Sequence, residues 1–168
     1  MRNESCVPGI HRQVALMSFG MRIFVGIDCD EHQLMMGLIG SQGILKSLST
    51  TASPLPDHLD TFGQRLSGMI RGLRGEENLR MKQFRGIGLG IPGRYVAELL
   101  QNIKDQIKQH LDIPVYIEDR EILAVKGQAW LEQVADMVDP RVDLQKWDLR
   151  VIYGAAKLAV DNTPTRNG

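Results

Sequence analysis

The sequence predicts an α/β fold built on one mixed five-stranded sheet with helices on both faces, and three observations carry that expectation. Apolar runs at 22–28 and 85–91 have the composition of strands covered on both sides. Two more strand-like runs follow the first at hairpin spacing, which places antiparallel strands beside it. Three helical patterns then alternate with the later strands, giving the order β-β-β-α-β-α-β-α.

Each element has its own justification. The first strand ends in Gly26-Ile27-Asp28, which delivers a carboxylate to the C-terminal mouth of a buried strand, where α/β sheets place ligands. Gln33 to Ile39 continues the apolar pattern, Ser41-Gln42-Gly43 supplies a turn, and Ile44 to Thr51 reads as the third strand. Ser53-Pro54-Leu55-Pro56-Asp57 breaks that strand and starts a helix, whose Leu59, Phe62, Leu66, Met69, Ile70 and Leu73 recur at the helical period. Arg85 to Pro92-Gly93 alternates glycine with aliphatic residues, as a buried strand does when something approaches one of its faces closely. A second amphipathic helix carries Leu99, Leu100, Ile103, Ile107 and Leu111. Ile113 to Ile117 is the expected fifth strand, and Glu121 to Val138 the third helix. In the tail, the alanine-rich stretch within 148–162 favours a helix, with a short strand at 149–153 as the competing reading.

The expected organisation is an arm at 1–20, appended or loosely ordered, a compact lobe at 21–138, and a tail at 139–168 with a returning helix and a disordered C-terminus. A chain of 168 residues can bury a core without metal or disulfide support. Acidic and basic residues balance at 20 each, so no global field recruits nucleic acid or an anionic membrane, and direct nucleic-acid binding is not expected. Cys6 and Cys29 have no metal-ligand spacing, and no run reaches the roughly 18 apolar residues of a membrane span. A reduced, cytoplasmic protein is expected. His32 reads as a water-exposed turn residue and the eight methionines as core fillers.

Three segments together resemble the ROK family of sugar kinases, transcriptional repressors and uncharacterised relatives, within the actin/hexokinase-like superfamily whose lobes have ribonuclease-H-like topology. They are Gly26-Ile27-Asp28, then Gly86-Ile87-Gly88-Leu89-Gly90-Ile91-Pro92-Gly93, and Pro114 to Arg120 followed by Gly127-Gln128-Ala129-Trp130. The resemblance spans roughly 22–130 and implies ligand contacts by Asp28, Gly90, Pro92, Gly93, Glu118 and Asp119. It also marks departures. Where the kinases follow the first aspartate with Gly-Gly-Thr, this chain has Cys29-Asp30-Glu31-His32, and two added acids about 4–7 Å from a triphosphate oppose it by something on the order of several kcal/mol. The position of the family's catalytic aspartate falls on Arg120, which stays protonated and is no general base. Shifting by one residue offers Asp119 as the base but breaks the match at Gly127. Only 19 residues separate Gly93 from Ile113, where the kinases carry a longer sugar-contacting insertion. The resemblance shows no counterpart of the second, nucleotide-binding lobe in these residues.

These departures favour a non-catalytic lobe that acts by binding, as an effector or sugar-binding, regulatory or oligomerisation module, with no cofactor. Two enzyme readings stand beside it. A metal-dependent nuclease or phosphotransferase of ribonuclease-H-like topology would hold Mg²⁺ with Asp28, Asp30, Glu118 and Asp119. A residual sugar kinase would bind ATP with a second lobe supplied in trans. A homo-oligomer, or a partner chain covering an exposed face of the lobe, is expected, with Trp130, Leu131, Val134 and Met137 as a candidate contact face.

Overall fold

The computed structural model describes residues 21–55, 57, 59–134, 136, 143 and 146–164. The proposed arm at 1–20 lies outside the described residues, as do Met137, the boundary at 139–142 and the last four residues. Five strands form one sheet: β1 (Ile23–Cys29), β2 (Gln33–Gly40), β3 (Leu45–Ala52), β4 (Phe84–Ile91) and β5 (Val115–Asp119). Their spatial order is β3-β2-β1-β4-β5. β1–β2 and β2–β3 are antiparallel, whereas β4 lies parallel to β1 and β5 parallel to β4. The helices are α1 (Phe62–Glu76), α2 (Val96–Leu111), α3 (Arg120–Val134) and α4 (Arg150–Asn162).

One face of the sheet is covered by α1 and α2. The predicted stripes on these helices supply buried Phe62, Leu66, Ile70 and Leu73, then Leu99, Ile103 and Ile107, against Val25, Ile27, Met36, Ile87 and Leu89. Each fully buried side chain of this size contributes about 1.5–3 kcal/mol relative to exposure. α1 starts later than the proline break predicts, after a single turn at Leu59–Thr61. α2 ends where Asp112 adopts φ +53°, a left-handed conformation that aspartate tolerates at a helix terminus.

The other face explains the glycine-aliphatic alternation. α4 lies directly on the sheet, so a Cβ at Gly26 would run into the Ile152 carbonyl and one at Gly88 into that of Ala155. α3 crosses α4 equally closely, with Gly127 against Arg150 and Gly154 against Leu123, backbone to backbone. The tail is therefore a helix, and the competing strand at 149–153 does not form. Tyr153 is fully buried there, and its hydroxyl donates to the Gly43 carbonyl at 2.9 Å. It meets the Trp130 ring edge-on, centroids 5.5 Å apart. Trp130 and Val134 are thus packed inside the chain with Phe24, Leu45 and Ile152, and the contact face expected from them is not exposed.

β5 also differs from its predicted span of 113–117, beginning after Pro114 and running to Asp119. Proline has no N–H to give the ladder, while pairing with β4 carries the two acids along as strand residues. Among the described residues, no helix is long and apolar enough to cross a membrane.

Candidate functional site

The parallel register aligns the residues singled out in the sequence. Asp28 of β1 sits beside Gly90 of β4, which sits beside Glu118 of β5, at the C-terminal mouth of three parallel strands. Asp28 is nearly buried, and it faces Arg120 at the first position of α3. The guanidinium grips both carboxylate oxygens, Nε to Oδ1 at 2.8 Å and Nη2 to Oδ2 at 3.2 Å. This two-pronged geometry is the strong form of a charge-assisted hydrogen bond. Burial pushes the Asp28 carboxyl above its ordinary value, against the pull of Arg120, while the bond to Asp28 raises Arg120 further. The strand terminus that would face a ligand is occupied by the protein's own cation.

The turn after β1 is closed in a similar way. The Oδ1 of Asp30 accepts from the amides of His32 at 2.7 Å and Gln33 at 2.8 Å. Backbone amides clustered in a turn are natural anion ligands; here a carboxylate of the same turn takes them. Although burial acts upward, those two amides hold the Asp30 carboxyl below its usual range. Glu31 pairs with Arg94 in the turn that follows β4, and the Arg94 guanidinium lies 4.9 Å from the Tyr95 ring centroid. His32 is exposed.

The remaining candidates are positioned but engaged. Consecutive strand residues point to opposite faces of a sheet, so Glu118 and Asp119 diverge. The Oε1 of Glu118 accepts from the Asp119 amide at 2.9 Å, and the Oδ1 of Asp119 accepts from the Glu121 amide at 2.9 Å, capping α3. Asp119 lies against Gly93, where a Cβ would stand 2.5 Å from its Oδ2. Gly90 is packed under Val151 and Leu123, and Pro92 leads into the turn at Gly93–Tyr95. Among the described residues, no three or more His, Cys, Asp or Glu side chains are grouped to hold a metal ion. Asp28, Asp30, Glu118 and Asp119 share one end of the sheet, yet each carboxylate is directed to a different partner.

Sequence reasoning excluded Arg120 as a base but missed it as the partner of Asp28. The signal was chemical rather than positional: an acid at the end of a buried strand calls for a cation, but Arg120 follows β5, which β4 separates from β1. Asp148, which precedes α4 and acts electrostatically on both Asp28 and Arg120, was missed as well; its own carboxyl is held low by Arg150. No local pattern marks it.

The architecture has counterparts among solved structures. A ROK hexokinase from Thermus thermophilus superimposes with a TM-score of 0.53 at 20% identity, over 68% of this chain and 39% of that one. The chain has a ROK-like fold. A Chromobacterium violaceum protein, provisionally described as an N-acetylglucosamine kinase, superimposes with a TM-score of 0.51 at 14% identity, over 64% and 38% of the two chains. The ROK-like chain thus aligns with about two-fifths of the length of these proteins. No protein-family model and no curated protein matches the sequence.

Proposed function

We propose that this ROK-like lobe is a non-catalytic binding module. One observation carries the reading: the carboxylate at the mouth of β1 is gripped by Arg120, at the position where the family resemblance implies a proton-accepting aspartate. A general base must present a free lone pair to the substrate hydroxyl, and a guanidinium has none. The Asp30 carboxylate also takes two turn amides that a phosphate would need, and it repels any anion approaching them. The module then acts through what it contacts, as an effector, regulatory or assembly element.

A phosphotransfer assay with Mg·ATP and a panel of hexoses and N-acetylhexosamines tests this. The full chain gives no sugar phosphate above the no-protein background. Turnover that is lost in Arg120→Ala overturns the reading, because Arg120 would then be working on substrate.

A further inference from the structure

A glycine inside a helix calls for a reason, because each one weakens the helix by a factor of about four to five relative to alanine. At three helical positions of this chain the reason is close packing: Gly63 lies against Gln106, Gly127 against the Arg150 carbonyl and Gly154 against that of Leu123. Gly68, Gly72 and Gly75 have no such reason. All three are exposed in the second half of α1, and a Cβ at any of them would meet nothing within 4 Å.

Other features of the same stretch act in the same direction. The Ser67 hydroxyl and the Arg74 Nε are buried, and neither has a hydrogen-bond partner among the described residues. Leaving such a group unsatisfied disfavours the closed helix relative to an open, hydrated one. α1 carries no acid in its first turn and Glu76 in its last, which opposes the helix dipole. Within 68–76 only Ile70 and Leu73 are buried. Arg71 adds one bond to α2, from Nη2 to the His110 carbonyl at 2.7 Å, and that bond is exposed to water.

The flanks are held far better. Before the stretch, Phe62 and Leu66 are fully buried, and Gln106 of α2 clamps the helix start: its Oε1 accepts from the Gly63 amide at 2.8 Å and its Nε2 donates to the Asp60 carbonyl at 3.1 Å. After it, Glu77 pairs with Lys46 at 3.7 Å and Leu79 is buried. The amides of Glu77, Asn78 and Leu79 close the last turn on the carbonyls of Leu73, Gly75 and Arg74, so the stretch moves as one piece rather than fraying from its end. We infer that residues 68–76 are a flap that opens by itself, while the sheet, α2 and the first half of α1 stay folded. Segments with few buried side chains reach open states well below the free energy of global unfolding. Opening withdraws Ile70 and Leu73 from the core and hydrates the Arg74 Nε, and it leaves the Gln106 clamp in place. The inference is independent of the reading of the Asp28 site.

Hydrogen exchange of the full 168-residue chain at neutral pH, read by mass spectrometry, tests it. Relative to their intrinsic rates, the wild-type amides of 68–76 exchange about 100-fold faster than those of β1 and β4. Gly68→Ala, Gly72→Ala and Gly75→Ala combined raise the protection of the flap about 100-fold. Tyr153→Phe removes the bond to the Gly43 carbonyl, across the sheet from α1. It speeds exchange in β1 and β4 about fivefold and leaves 68–76 unchanged. Protection of 68–76 equal to that of the two strands overturns the proposal. Acceleration of 68–76 together with the strands in Tyr153→Phe overturns it too, because the segment would then open only when the whole chain unfolds. A triple alanine variant with unchanged exchange in 68–76 has the same consequence.

Discussion

Arg120 holds Asp28 through both carboxylate oxygens, across 92 residues of sequence and from the edge strand's helix to the end of β1. The pair joins two of the three segments that carry the ROK resemblance, and it ties the start of α3 to the sheet. A ligand seeking the Asp28 carboxylate must first displace a guanidinium that already satisfies it.

Arg120→Met leaves a nearly buried carboxylate without its cation. Removing one partner of a fully buried pair costs about 3–5 kcal/mol, and the partial exposure of Arg120 lowers this to roughly 2–3 kcal/mol at neutral pH. Asp28 already has a folded-state pKa above its ordinary value, so its ionisation works against the folded state as pH rises through that range. The penalty is therefore smaller at pH 4.5 than at pH 7.5, because protonation of Asp28 relieves the unpaired buried charge. Urea unfolding at the two pH values measures the difference, and adding Asp28→Asn to Arg120→Met recovers much of the loss.

Asp30→Ala removes the acceptor of two turn amides and lowers stability by about 1 kcal/mol at pH 7. The sign with pH is opposite to that of Asp28. The folded-state pKa of Asp30 lies below the unfolded value, so its contribution is present above the unfolded pKa and is lost as pH falls through the folded one. Wild-type and Asp30→Ala stabilities converge in acid, whereas Asp30→Asn, whose amide oxygen still accepts, stays near wild type at pH 7.

Glycine substitutions separate close approach from local propensity. Gly88→Ala forces a methyl into the Ala155 carbonyl of α4, backbone that no side-chain rotation can clear, and costs about 3 kcal/mol or more. Gly72→Ala has open space on α1 and stabilises by up to about 1 kcal/mol. Thermal melts of the two variants should move in opposite directions.

Cys29 is fully buried at the end of β1, and burial pushes its thiol up to about 12. In a Cys6→Ser background, iodoacetamide at pH 8 leaves the folded chain unmodified and labels it once urea has unfolded it, as mass spectrometry reads out.

The succession of strands and helices along the chain was legible because it rests on period and punctuation. The alternation Gly86, Gly88, Gly90 announced a close neighbour on one face, and the alanine-rich tail supplied it as α4. The end of β5 was less legible, since Glu118 and Asp119 resemble loop residues until pairing with Gly90 and Ile91 fixes them as strand. The fate of Trp130 was hidden because its aromatic neighbour, Tyr153, lies 23 residues downstream on a helix that only tertiary packing brings across α3. The mouth of β1 was half legible. Asp28 and the acids after it were visible, but the salt bridge to Arg120 depends on where α3 begins relative to β1, which no spacing encodes.

Isothermal titration calorimetry of Mg·ATP into the full wild-type chain tests the central claim most directly, because the closed turn and the Asp28–Arg120 pair both oppose a bound phosphate. The account predicts no saturable heat up to about 5 mM nucleotide, a concentration at which even a 1 mM dissociation constant, about −4.1 kcal/mol, would register. Saturable binding with sub-millimolar affinity, weakened by Asp28→Asn, would contradict it.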